Sequence, residues 1–360
     1  MIKRNYLGSL PCVTIDRQKL QHNIQTISQI LADRQVLAHF STTGIAAYEP
    51  MIELMARSGI HNFADSSLDN LAVARPYADS LLLDRLPMIS EVSRLVQEVD
   101  MSVNSELETI FAISDAAVVE GKRHGVILLL ELGDLSDGVL ADDLFDTVHQ
   151  ILNLRGVELK GIRCHLNSFS GTLATLDNLS RFAQLVTDLE ERFEIQLDYV
   201  SAGGSATIPL LDDEEFPVKI NHVVIGQAWL FGRESASQHR IGNLHQDVFS
   251  LLAEVVENKR KDSYPSGNLG FNYAGETLAF EDVGVIRRVI LALGAQDVNL
   301  ANLPTKEKGI DYIGSNLDYA IYNISKYNRK LEIGDAVEFT PDYVALNRLF
   351  NSPRINKVID

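Results

Sequence analysis

Between about residue 36 and residue 225 the sequence alternates short apolar, β-branched runs with longer stretches of helical period, which restricts it to folds made of repeated βα units. Eight runs read as strands: Val36 to Phe40, His61 to Asp65, Ser80 to Asp84, Met101 to Asn104, Gly125 to Leu132, Lys160 to Leu166, Leu197 to Ser201 and His222 to Ile225. Between them lie segments such as EPMIELMARSG, SELETIFAISDAAVVEG and LDNLSRFAQLVTDLEERF, with apolar residues three and four apart, and a further helix from about Arg17 to Leu31 precedes the first run. Eight such units within about 225 residues is the arithmetic of an α/β fold of the (β/α)8, TIM-barrel type. An open doubly wound sheet would need a glycine-rich first βα turn. The first turn here is FSTTGIAAYEP, and the sequence contains neither G-x-G-x-x-G nor a P-loop.

After about Gly232 the alternation stops and short strands with Gly and Asn turns follow, which predicts a smaller, mostly β C-terminal domain. The expected division is a barrel over residues 12–238 and a β domain over 239–360. A chain of 360 residues exceeds what one core usually organises, in keeping with two domains. Its 32 Lys+Arg against 49 Asp+Glu leave a net charge of −17, a field that repels nucleic acid and anionic lipid. Cys12 and Cys164 are too few for a disulfide framework, the start MIKRNYLGSLPCV has no apolar signal core, and no apolar run is long enough to cross a bilayer. The expectation is a soluble cytoplasmic protein.

In such a barrel the site lies at the C-terminal ends of the strands. Those ends carry His39, Phe40 and Ser41; Asp65 and Ser66; Asp84 and Arg85; Asn104; Glu131; His165 and Asn167; Ser201 to Thr207; and Gly226 with Gln227. The turn SAGGSAT, Ser201 to Thr207, follows strand seven, where small residues let several N–H groups and a hydroxyl face one phosphate; an ordinary Gly-Ser turn has the same composition. His165 points to the mouth, although a lone histidine is more often structural. His239 and His245 lack metal spacing, so no metal is expected, and the run Asp212 to Glu215 reads as a solvated loop. Strand alternation turns Cys164 away from His165, which leaves no cysteine nucleophile constellation.

The segments LPMISEV, MSVNSELETI, VILLLELGDLSDGVLADDL, GIRCHLNSFSG, SAGGSATIPLL, INHVVIGQAWLFGRES and VILALGAQDV resemble the ornithine-racemase-like branch of the alanine racemase superfamily, in register from about Cys12 to Val358. The resemblance implies a pyridoxal 5′-phosphate enzyme with an N-terminal barrel and a C-terminal β domain that the N-terminal residues 1–11 join. It also implies a head-to-tail homodimer in which each subunit contributes to the other's site. In such enzymes the cofactor aldehyde forms an imine with a lysine and its ring stabilises the carbanion left by the α-proton. Carried over residue by residue, His165 matches the histidine that stacks on the ring. Ser205, with Ser201, Gly203, Gly204 and Thr207 of its turn and the backbone of Gly226 and Gln227, matches the phosphate contacts. Tyr273 in GFNYAG is the nearest match to the tyrosine that acts as second base across the dimer, with a plain surface tyrosine as the alternative.

The charged cofactor contacts do not match. The imine lysine belongs at the end of strand one, where this chain has His39-Phe40-Ser41 or, just after it, Thr42-Thr43, and there is no lysine between Lys19 and Lys122. The arginine expected after the strand-five turn is Ser136, the arginine on strand eight is Val224, and Gln227 stands where this branch has an acid. The expected function is a family member degenerate at the cofactor site, which binds a phosphate-bearing ligand without racemising. The alternative is an active racemase with an unidentified lysine; Lys160 and Lys219 precede their strands' C-terminal ends and are expected at the wrong end of the barrel. Lyase-type chemistry on Asp65, Asp84 and Glu131 has no carboxylate pair of suitable spacing to support it.

Overall fold

The computed structural model describes residues 9–360. Its first strand, β1 (Cys12–Ile15), leads into α1 (Arg17–Asp33), and the βα alternation follows: β2 (Leu37–Ser41), α2 (Glu49–Arg57), β3 (Asn62–Asp65), α3 (Leu68–Ala74), β4 (Ser80–Leu83), α4 (Val92–Glu98), β5 (Met101–Asn104), α5 (Leu107–Val119), β6 (His124–Leu130), α6 (Leu144–Leu152), β7 (Val157–Cys164), α7 (Leu176–Phe193), β8 (Tyr199–Ala202), β9 (His222–Ile225) and α8 (Gln227–Phe231). Strands β2 to β9 pair in parallel and close into a barrel, with Leu37 of β2 opposite His222 of β9. The eight strands fall where the sequence period puts them, although β7 starts at Val157 rather than Lys160 and Glu131 lies just beyond β6.

Local chemistry accounts for the elements. Helix α7 starts at Thr175, whose hydroxyl accepts from Asn178 N while Asn178 Oδ1 accepts from Thr175 N, and it buries Leu179, Phe182, Ala183, Val186 and Leu189 along one face. Strand β6, HGVILLL, is buried over its whole length because neighbours cover both faces. Inside the barrel Ala64, Leu82, Met101, Val103, Ile127, Leu129 and Val224 form one apolar cluster, with Tyr199 against it. Gly161 sits opposite Tyr199 in the β7–β8 pairing, and a Cβ there would lie 2.1 Å from the Tyr199 carbonyl oxygen. Gly161→Ala is therefore expected to destabilise the fold by about 2–3 kcal/mol through overpacking. An unchanged thermal midpoint would show that these two strands are not held at this spacing.

The chain divides into two units, Gln18–Gln246 and a second made of Asp247–Asp360 with the N-terminal segment up to Arg17. The second unit holds β10 (Phe249–Asp262), β11 (Val285–Leu291), β12 (Asp311–Ser315), β13 (Ala320–Asn323), β14 (Ala336–Phe339), α9 (Tyr343–Asn351) and β15 (Asn356–Ile359). Its sheet runs β12-β13-β11-β10-β1-β15, with β14 also on β10. Residues 12–15, expected with the barrel, instead pair with β10 antiparallel and β15 parallel. The reason is non-local: Cys12, Val13 and Ile15 are apolar and buried, and their partners lie more than 230 residues away. Of the segment 1–11 expected to join this domain, residues 1–8 lie outside the described residues.

Candidate functional site

His39 of β2 shares the inner face of the barrel with Ser41, two residues on. His39 Nδ1 lies 2.8 Å from His222 Nε2, its Nε2 lies 3.0 Å from Ser80 Oγ, and His222 Nδ1 lies 2.9 Å from Ser201 Oγ. Tyr199 meets both imidazoles edge-on. Ser80, Tyr199 and His222 open their strands, so this polar chain crosses the N-terminal half of the barrel interior. Burial holds both histidines neutral, His39 down to about 4 and His222 well below its ordinary value.

The inward positions toward the C-terminal mouth are Ser41, Asp84, Val224, Arg163 and His165. Arg163 is 2% exposed and donates through Nη1 to Asp84 Oδ1 across the barrel, while its Nε has no acceptor among the described residues. His165 follows directly on β7, and burial, then the charge of Arg163, lowers its pKa. The alternation that turns Cys164 away places Arg163 and His165 on one face, and burial pushes the Cys164 thiol up to about 12, so it is an inert filler.

The turn after β8 is internally bonded. Thr207 Oγ1 donates to Ala202 O at 3.2 Å, and Ser205 Oγ accepts from Ala228 N at 3.0 Å and Gly226 N at 3.4 Å. Gly203 has φ +60°, and a Cβ there would meet Thr207 Oγ1 at 2.2 Å, while one on Gly204 would lie 3.0 Å from Val224 O. Gly203 is thus required by the turn itself, and Gly204 leaves little room beside Val224 O. Ser201, expected among the phosphate contacts, points instead into the histidine layer because its hydroxyl is taken by His222. The Gln227 side chain accepts from Gln238 Nε2 at 3.0 Å.

Two loops beside the mouth are tied by Asp134, which is fully buried and accepts from Ser168 N, Phe169 N, Thr172 N and Ser170 Oγ. Burial pushes its carboxyl up, but these hydrogen bonds outweigh that and bring it to about 2. Ser136, in the first of these loops, has a buried hydroxyl without a partner among the described residues. The other carboxylates at the strand ends serve separate structural roles. Asp65 accepts from Thr42 Oγ1, Ser67 N and Asn70 Nδ2, and Glu131 from Gly133 N and Leu135 N. Tyr273 is half-exposed in the second unit, in a turn held by Asn272. Among the described residues no group of three or more His, Cys, Asp or Glu side chains could hold a metal ion.

Among the described residues, three barrel lysines are engaged elsewhere. Lys160 lies one residue before the Gly161–Tyr199 pairing and bonds Glu158 and Asp198; Lys219 bonds Glu190, and Lys122 donates to Gln97 O. A group that must form an imine with a lysine therefore does not fit the barrel residues described. The His39–His222 chain and the Arg163–Asp84 pair were not among the residues singled out from the sequence together. Their signal was polar residues at inward positions of apolar strands, in LAHFS, HVVI and GIRC.

Residues 15–233 match the family model described as alanine racemase, N-terminal domain. The chain is 33% identical over 348 residues to the ornithine racemase of Acetoanaerobium sticklandii, covering 96% of this chain and 99% of that protein. It is 25% identical to the lysine racemase of Thermotoga maritima, over 97% and 98% of the two chains. The structure of an alanine racemase from Clostridium difficile 630 superposes with a TM-score of 0.76 at 15% identity, covering 99% of this chain and 97% of that one.

Proposed function

Because the chain belongs to the alanine racemase family, in its ornithine-racemase-like branch, we propose that it is a member that keeps the barrel but not the imine: it binds a phosphate-bearing small molecule non-covalently at the barrel mouth and does not racemise amino acids. One observation carries this reading, the lack of any lysine from residue 20 to residue 121, with Lys122, Lys160 and Lys219 tied to partners away from the mouth. The phosphate half is supported by Gly226 N and Ala228 N, which converge on one oxygen, Ser205 Oγ. A ligand phosphate would share these two N–H groups and accept a hydrogen bond from the Ser205 hydroxyl. In this reading the protein is a soluble cytoplasmic homodimer, head to tail. Among the described residues no helix is long and apolar enough to cross a membrane.

Added pyridoxal phosphate is expected to keep its free absorbance spectrum, and borohydride followed by mass mapping is expected to label no lysine. Chiral chromatography should find no racemisation of ornithine, lysine, arginine or alanine. A borohydride-fixed adduct at one lysine, with turnover, would restore the competing reading of an active racemase. For the phosphate half, inorganic phosphate should raise the thermal midpoint of the wild type, and Ser205→Val should remove that rise. A midpoint indifferent to phosphate would remove that half alone.

A further inference from the structure

We propose that the far end of strand β10, residues 257–262, together with the arginines of β11 beside it, is a docking edge for an extended acidic peptide segment of a partner protein. Strand β10 is paired with β1 over residues 249–252 and with β14 over residues 251–254, whereas residues 257–262 pair with β11 alone. The N–H and C=O groups of successive strand residues point to opposite edges, so every second residue of this stretch turns its pair away from β11. Among the described residues those groups make no further backbone hydrogen bond. An unpaired edge of this kind is a template for one more strand. The stretch lies wholly in the second unit, so the inference does not depend on the reading of the barrel mouth.

Charge selects the strand that fits. In a chain of net charge −17, residues 257–262 and 285–291 hold five cations, Lys259, Arg260, Lys261, Arg287 and Arg288, against two acids, Glu257 and Asp262. Pairing sets Lys259 opposite Arg288 and Arg260 opposite Arg287, two adjacent rungs of like charge, which destabilise the pair unless an anion lies against them. Glu257 bonds Lys259 and Lys261, while the Arg260 and Arg287 side chains have no acid partner among the described residues. Lysines on a free edge can serve only to keep other strands off. That does not account for Arg287 and Arg288, because β11 is an interior strand between β10 and β13. Lys259, Arg260 and Lys261 alternate between the two faces of the sheet, so a strand laid beside them meets a cation at successive positions. A run of consecutive Asp or Glu residues matches that pattern. A nucleic acid matches it less well: its phosphates offer no donors to the free carbonyls, and the overall charge of the chain opposes a long polyanion.

Fluorescence anisotropy with the full chain tests this, using a blocked, end-labelled peptide, Thr-Val-Glu-Glu-Glu-Glu-Val-Thr. A glutamine analogue removes the charge. Two N-methylated forms, each methylated on alternate amides so that one edge of the peptide cannot donate, separate strand addition from simple charge attraction. The glutamate peptide should bind, and the glutamine analogue and one of the two methylated forms should each bind at least tenfold more weakly. The double variant Arg260→Thr, Arg287→Thr places good strand formers on the ribbon. It should weaken binding at least fivefold without lowering the thermal midpoint, since it removes a rung of like charge. No binding of the glutamate peptide, equal binding of the glutamine analogue, indifference to both methylation patterns, or unchanged binding by the double variant would each overturn the proposal. So would a single-stranded oligonucleotide that binds more tightly than the peptide, or sedimentation showing self-association that the double variant abolishes, because another occupant then covers this edge.

Discussion

Arg163→Gln is expected to lower the unfolding free energy by about 3 kcal/mol, whereas Arg163→Met combined with Asp84→Leu is expected to cost less than about 1 kcal/mol. The single change removes the guanidinium but leaves the Asp84 carboxylate in the barrel with its partner gone; glutamine offers it one neutral donor at best. The double change removes both charges. It continues the apolar cluster of Leu82, Met101, Ile127, Leu129 and Val224 toward the mouth, with methionine close to arginine in size and the larger leucine accommodated at the partly exposed position of Asp84. The partial exposure of Asp84 keeps the expected loss at the lower end of what breaking a buried pair costs. Urea midpoints of the three proteins decide it. If the single and double variants are equally destabilised, the packing of the arginine stem rather than its charge holds the mouth together.

The barrel was legible because its signal is local. A buried parallel strand announces itself as a short apolar run, and β5 and β9 fall on the residues expected from such runs. The placement of β1 was not legible, since four apolar residues do not say whether they will close a barrel or join an edge more than 230 residues away. The site was half legible. The lack of lysine is a fact of composition, and His165 and Ser205 stand where strand ends predict. The Arg163–Asp84 pair joins residues 79 apart across the barrel, and the histidine chain joins residues 183 apart, so neither follows from period or spacing. Strand alternation alone did hold a usable clue: the argument that turns Cys164 outward turns Arg163 inward.

The histidine layer predicts pronounced acid sensitivity well above the pH at which carboxylates titrate. His39 and His222 are buried in contact with each other, and His124 is buried against Ser102 Oγ at 2.9 Å; burial brings His39 and His124 to about 4 and His222 well below its usual value. Asp84 and Asp100 favour protonation of His39, but burial dominates and Arg163 opposes it. A folded pKa below the unfolded value of about 6.5 means that the unfolded chain binds more protons between those limits. The stabilisation is thus complete above about pH 6.5 and is lost as the pH falls toward 4. Three such groups amount to between two and three protons taken up on unfolding near pH 5, a slope of about 3 kcal/mol per pH unit against a typical total stability of about 5–15 kcal/mol. Asp65 acts in the opposite direction, since burial raises its carboxyl and acid relieves it, while Asp134, held to about 2, adds its own loss only at lower pH. Urea unfolding at pH 7, 6 and 5 should show the midpoint falling steeply, and His124→Gln should reduce the proton uptake by about one while leaving the His39–His222 contribution in place. A midpoint that stays level from pH 7 to pH 5 would mean that the imidazoles reach water in the folded barrel, and that its interior is open rather than sealed by the chain from Ser80 to Ser201.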